Sequence, residues 1–415
     1  MARTLVVVGW VWPEPQASAA GHNTLTLLQT FLQHQWQVIF ASPAEWTPLS
    51  FPLRELGIQC QTIAVNDSSF DEWLASVAPD VVVFDRFLME EQFGWRVELA
   101  CPDALRILDT SDLQCLRHGR QQAYRAGREF STEELNTDLA LRELAAIWRS
   151  DLSLIISREE QQLLLDHFGV RDSLLFLRPL QLQHAGERSA PLPGFDERKG
   201  FVTIGNFRHA PNWDAVLYLQ SLWPEVRRAL PGAEIRIYGA YMPPKAKQLH
   251  NPKQGFYMLG WVEDAQTAMA SARVCVAPLR YGAGQKGKLL LAMAAATPSV
   301  TTSVGAESMI GGDDWPGVVA DEPAELVAAM VALHEDATEW QHCSESALAC
   351  ARAISEADSS AQLMTQIDQL LAGLPGHRQR NFIGAMLRHH HQRSTEYFSR
   401  WIETKSRLAK PSQAE

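Results

Sequence analysis

The sequence predicts an α/β protein built as two doubly wound domains, each a parallel sheet with helices on both faces, facing each other across a cleft. Three observations carry this. Short apolar runs alternate with amphipathic stretches, the pattern of strands buried on both faces of a parallel sheet. The same alternation restarts at Phe201. Between the halves, residues 184–194 are punctuated by Pro and Gly and lack periodicity, as a linker does.

Taken in order, residues 5–8, 38–40, 81–84, 105–108 and 152–156 read as strands of a first domain over 1–190. Residues 24–34, with Leu25, Leu28 and Leu32 on one face, and the long stretch 132–148 read as helices. A second domain over 197–360 takes strands at 201–204, 234–238, 256–259, 274–277, 299–302 and 318–319. Helices at 213–229, 264–272 and 288–296 fall between them. Such folds bind ligands at the carboxyl ends of their strands, which places the site in the cleft. Residues 361–415 read as a helical basic tail, with a net charge of +6 over 377–410 and Phe382, Met386, Phe398 and Trp401 interleaved. A basic helix carrying aromatics suits peripheral contact with an anionic membrane, or else packs on the protein with a solvated basic face. His389, His390 and His391 are adjacent, so they cannot all face one ion from a helix.

Composition narrows the class. The chain has 415 residues, 46% hydrophobic and 20% charged, which excludes disordered, collagen-like and disulfide-stapled proteins. Lys and Arg number 37 against 48 Asp and Glu, a net charge of −11, so no nucleic-acid partner is expected. The six cysteines form no CxxC pair, which argues against a zinc ribbon. No apolar run reaches the roughly 18 residues of a membrane span. The N-terminus runs straight into a strand without a cleavage site, so a cytoplasmic setting is expected, with the tail as the one feature pointing to the inner membrane face. Oligomerisation stays open.

The most informative segment is Ala277-Pro278-Leu279-Arg280-Tyr281-Gly282-Ala283-Gly284-Gln285-Lys286-Gly287-Lys288, followed by Leu289-Leu290-Leu291-Ala292-Met293-Ala294. A strand ends, a glycine-rich turn follows, and a helix starts. Glycines admit close backbone approach, and a helix N-terminus attracts anions. Two lysines at that end make sense if an anion sits in the turn; the alternative is two solvated lysines on an ordinary turn. The phosphate loop GxxxxGK[ST] is absent.

This stretch, continuing as Thr297-Pro298-Ser299-Val300-Thr301-Thr302-Ser303-Val304-Gly305-Ala306-Glu307, resembles the donor-binding signature of GT-B glycosyltransferases, particularly the retaining family 4 (glycosyl transferases group 1). The opening Gly205-Asn206-Phe207-Arg208-His209-Ala210-Pro211-Asn212 and the loop Gly260-Trp261-Val262-Glu263-Asp264 are similar to further parts of that pattern. The resemblance spans about 1–360, strongest over 200–309. It implies a GT-B fold and transfer of a sugar from a nucleotide diphosphate sugar to a glycan, lipid-linked glycan or protein acceptor. Retention at the anomeric carbon and no metal or other cofactor are also implied. On the donor side it points to Gly205, Asn206, Arg208, Asn212, Gly260, Trp261, Arg280, Gly282, Ala283, Gly284, Gln285, Lys286, Lys288, Leu291, Gly305 and Glu307, with Lys286 and Lys288 meeting the leaving diphosphate.

Departures from the pattern are specific. Leu291 stands where the family usually has a ribose-binding glutamate, and Ala283 stands where another glutamate occurs. Asn206 and Asn212 replace a diphosphate-gripping Arg and Lys, and Ala296 replaces the glycine before Pro298. These changes keep two rivals in view: a catalytically silent partner of an active transferase, and a sugar-nucleotide epimerase.

On the acceptor side, Gly21 and His22 sit in the loop opening the first helix, where Trp10, Trp12 and Pro13 suit sugar stacking or core packing. Asp85, Asp109 and Asp112 follow apolar strands, and strand-end carboxylates in a cleft are candidates to position or deprotonate an acceptor hydroxyl. Asp112 is the favoured catalytic carboxylate, or equally the N-cap of a helix over 113–119. Arg86, Arg117, His118 and Arg120 make this edge basic, which fits an anionic acceptor or a solvated surface.

Overall fold

The computed structural model describes residues 3–181, 191–310, 315–357, 359–389 and 393–409. In the first domain seven strands form one parallel sheet: β1 (Thr4–Val8), β2 (Gln37–Ser42), β3 (Gln59–Thr62), β4 (Val81–Asp85), β5 (Leu105–Asp109), β6 (Leu152–Ile155) and β7 (Leu175–Leu177). Their order is β3-β2-β1-β4-β5-β6-β7. The second sheet holds β8 (Phe201–Ile204), β9 (Ile235–Tyr238), β10 (Phe256–Gly260), β11 (Val274–Ala277), β12 (Ser299–Thr301) and β13 (Gly317–Val319) in the order β10-β9-β8-β11-β12-β13. Side chains alternate between two helix layers: Leu5 and Val7 enter one apolar cluster, Val6 and Val8 the other. That two-sided burial is why these strands read as unbroken apolar runs.

Two strands escaped the sequence reading. β3 reads Gln-Cys-Gln-Thr and lies at the sheet edge, and β7 is a three-residue strand at the opposite edge. Edge strands are covered less fully, so they need no apolar run. The single helix expected over 132–148 is also corrected. A turn of 3-10 helix, Thr132–Leu135, ends at Asn136, and Thr137 caps a separate helix Asp138–Arg149 by accepting from Ala140 N at 3.2 Å. Of the linker over 184–194, residues 184–190 lie outside the described residues.

The stretch expected as a separate tail folds back instead. Helix Ser360–Arg380 places Leu363, Met364, Ile367, Leu370 and Leu374 in the same cluster as Leu5, Phe31 and Leu105, completing the first domain's core. Arg378 locks it there. Its guanidinium donates to both Asp151 carboxylate oxygens at 2.8 and 2.7 Å, to Ala104 O at 2.7 Å and to Pro102 O. Asp151 is buried and also accepts from Arg106 N at 2.9 Å. Arg378→Ala leaves that carboxylate short of its main counter-charge, so the expected loss is about 3 kcal/mol, seen as a lower thermal midpoint. Arg378→Lys restores little, because one ammonium cannot span both oxygens and two carbonyls.

Candidate active site

In each sheet the strand order reverses beside the first strand, between β1 and β4 and between β8 and β11. The loops leaving those switch points diverge and open a crevice at the carboxyl edge. Here the two crevices face each other around a cleft of about 1160 Å³.

Two helix N-termini meet in this cleft. Helix Ala19–Gln33 is capped by Ser18, whose hydroxyl accepts from Gly21 N at 3.0 Å. Gly21 lies so close to the Glu14 backbone that a Cβ would sit 2.6 Å from its carbonyl, so the loop over 10–18 folds tightly only with glycine there. Helix Gly287–Ala294 starts opposite, and a Cβ on Gly287 would come within 2.5 Å of the Ala19 side chain. Neither helix has an acidic residue in its first turn. Two positive dipole ends therefore converge without a carboxylate of their own first turns to answer them.

Lysines add to that field. Lys286 is buried, its ammonium donating to Gly284 O, and burial pushes its pKa down. Lys288 donates to Asn212 Oδ1 at 2.7 Å, and burial pushes it down to about 8. Asn212 also donates to Asn206 O at 3.0 Å, and Gly205 leaves the space that the Asn212 side chain fills. Asn206 accepts from Arg208 N at 2.9 Å, and the Arg208 guanidinium stacks 3.6 Å from the Tyr241 ring centre. Trp261 and Leu291 line the same wall, with Gly282, Ala283 and Gln285 beneath.

The first domain supplies the opposite wall. His22, Asp85 and Asp112 all face the cleft. Burial lowers the His22 pKa. Asp85 closes β4 and is followed by Arg86, held at φ +72°, a left-handed conformation rare outside glycine. Burial works against charge on Asp112, yet Arg117, ion-paired with it, holds its carboxyl below the usual range. His209 approaches from the second domain; burial, then the field of Arg117 and Lys288 acting against Asp112, pushes it down to about 4. Asp112 does not cap the next helix. That helix, Gln114–Arg125, has its first amides taken by Glu160 from Leu113 N at 2.8 Å and by Glu143 from Gln114 N and Cys115 N at 2.9 and 2.8 Å. Burial raises Glu160 to about 8 and Glu143 to about 7.

Several expected site residues stand elsewhere. Arg280 is turned out of the cleft, donating to Asp214 at 2.9 and 2.7 Å between the rings of Tyr124 and Tyr218. Its charge is committed, contrary to its expected role at a diphosphate. Glu307 accepts two hydrogen bonds from Arg120 of the first domain, both 2.6 Å, and Arg120 also donates to Gly282 O at 2.9 Å. Gly305 packs against Thr301, and Gly260, at φ +79°, ends β10 behind Trp261. Gly284, at φ +62°, presses on Ile156 and Asp112 across the domain boundary. Asp109 is buried outside the cleft lining, and burial raises it to about 6.

Sequence reasoning missed Glu14 and Tyr241, whose hydroxyl donates to the Glu14 carboxylate at 2.6 Å across the cleft. No local signal marks such a pair, because the partners are brought together only by domain docking. Among the described residues Glu339, His342 and Cys343 gather metal-type ligand atoms, but outside the cleft lining and with the first two exposed. No helix among the described residues is long and apolar enough to cross a membrane.

Residues 198–336 match the family profile described as glycosyl transferases group 1. No curated protein matches the chain in sequence. Among solved structures, it is similar to sucrose-phosphate synthase from Thermosynechococcus elongatus, at 14% identity and TM-score 0.64 over 89% of this chain and 100% of that one. It is similar to HepE from Anabaena, solved in complex with UDP and glucose, at 14% identity and TM-score 0.63 over 88% and 99%. A glycosyltransferase from Rickettsia africae matches at 9% identity and TM-score 0.63 over 93% and 98%. At these identities the likeness is one of fold, and the fold is GT-B.

Proposed function

From a chain whose residues 198–336 form a glycosyl transferases group 1 domain on a GT-B frame, we propose transfer of a hexose from a nucleotide diphosphate sugar to an acceptor hydroxyl, without a metal. The observation that carries it is the meeting of two helix N-termini, neither with an acidic residue in its first turn, with Lys286 and Lys288 in one cleft. As the bond from the anomeric carbon to the diphosphate oxygen breaks, negative charge grows on the leaving group. Preformed dipole ends and lysines stabilise that charge with little reorganisation. The base would rest by Trp261 and the diphosphate between Gly21 and Lys288. The acceptor would enter beside His22, Asp85 and Asp112 and pass its hydroxyl proton to the departing diphosphate oxygen as the new bond forms. An ion-paired Asp112 with a low pKa orients a hydroxyl better than it removes a proton. HepE holds UDP and glucose, which makes a uridine donor the first to try.

Calorimetric titration with UDP, GDP, ADP, dTDP and CMP tests the reading. Micromolar binding of one diphosphate is expected. Failure of all five favours the silent-partner reading, for which Leu291 at the ribose position and Asn206 and Asn212 at the diphosphate are the specific features.

A further inference from the structure

The last two helices lie on the first domain with their aromatic side chains turned away from it. Helix Arg393–Ala409 packs on helix Phe87–Ala100 through its polar face. Ser399 is 2% exposed and accepts from Arg96 Nη2 at 3.1 Å. Glu403 accepts from Ser68 N at 3.1 Å, and Arg407 reaches Ser68 Oγ at 2.9 Å. The opposite face, at helical spacing, carries Tyr397, Trp401 and Leu408 at 70%, 56% and 83% exposure, with Phe398 beside them at 62%. Helix Phe382–Leu387 repeats the arrangement in part, since its Leu387 packs on the first domain's core. Gly384 packs against Trp148 O, leaving no room for a Cβ, while Phe382 is 73% exposed and Met386 46%. An ordinary surface helix does the reverse, facing the protein with its apolar stripe.

Charge on this face is sorted by height. Glu396 and Glu403 lie low, with side chains 23% and 13% exposed, while their partners Arg400 and Arg407 reach out at 60% and 70%. Lys405 stands over the Trp401 ring at 5.0 Å. The outermost layer is thus aromatic and cationic on a chain of net charge −11. Tyrosine and tryptophan with flanking cations suit the headgroup boundary of a bilayer. A symmetric contact with a second copy would instead set these cations against one another.

We propose that this face docks on an anionic lipid bilayer, with Phe398, Trp401 and Leu408 entering the headgroup boundary and Arg400, Lys405 and Arg407 meeting lipid phosphates. The inference is independent of the proposed sugar transfer.

Vesicle flotation of the full chain tests it, comparing phosphatidylcholine alone with an equal mixture of phosphatidylcholine and phosphatidylglycerol. Binding is expected only to the mixture, and high salt should weaken it. Lys405→Gln should weaken it about fivefold, and Trp401→Ser with Phe398→Ser more than tenfold. All these side chains are exposed, so the thermal midpoint should stay at the wild-type value. Failure to float with the mixture, or flotation unchanged in the Trp401 and Phe398 variant, overturns the proposal. A dimer seen by sedimentation and lost in that variant, without lipid binding, assigns the face to a second copy and overturns it equally.

Discussion

Lys288→Met is expected to weaken nucleoside diphosphate binding about tenfold to hundredfold while making the unliganded protein more stable. The two effects come from one charge. A charge-assisted hydrogen bond to a diphosphate contributes about 1.5–3 kcal/mol. In the unliganded protein the same ammonium is half-buried, donating among the described residues to the Asn212 side-chain oxygen, and burial holds its pKa down at about 8. A folded-state pKa below the unfolded 10.5 means that the fold disfavours the charged form. That cost is present in full below pH 8 and is relieved as pH rises from about 8 to 10.5. Replacing the lysine removes the cost at pH 7, on the order of 1–3 kcal/mol. Binding has the opposite pH dependence: affinity holds below pH 7 and falls above pH 8 as Lys288 loses its proton, a slope that Lys288→Met lacks. Titration calorimetry across pH with thermal melts measures both. Loss of stability together with affinity would make Lys288 a structural partner of Asn212 and sink its role at the diphosphate.

The Arg120–Glu307 pair carries the second large effect. The resemblance implies a donor-side role for Glu307, whereas the structure engages both its oxygens with a guanidinium from the other domain. Both side chains are mostly shielded, at 17% and 18% exposure, so screening is weak. As an interdomain latch, Arg120→Ala and Glu307→Ala should each weaken domain closure by about 2 kcal/mol, and the double variant should add little to either. Small-angle scattering should show the same larger radius of gyration in all three. A donor-binding Glu307 gives a different pattern: Glu307→Ala alone lowers nucleotide affinity, and Arg120→Ala leaves it near wild type.

How far the site could be read from the sequence depends on the range of its causes. The glycine-rich turn and helix over 277–294 were legible because strand end, turn and helix start follow one another in the chain. Ala296, which stands where the resembled pattern has a glycine, adopts φ +49°, a conformation that strains an alanine and suits a glycine. Arg280 misled for the same reason that Lys286 did not. Both flank the turn, but Asp214 and two tyrosines, far off in sequence, draw Arg280 outward.

By itself the sequence determined the two parallel sheets, their central strands and the anion-seeking turn, because backbone preference and two-sided burial leave a local apolar period. The edge strands β3 and β7 left none. Tertiary structure alone decided that helix Ser360–Arg380 completes the first core, that Glu143 and Glu160 serve the helix after Asp112, and that Arg120 and Glu14 bridge the domains. Each of these depends on a partner brought close only by folding, where burial makes an unanswered charge or amide costly and so selects the pair that answers it.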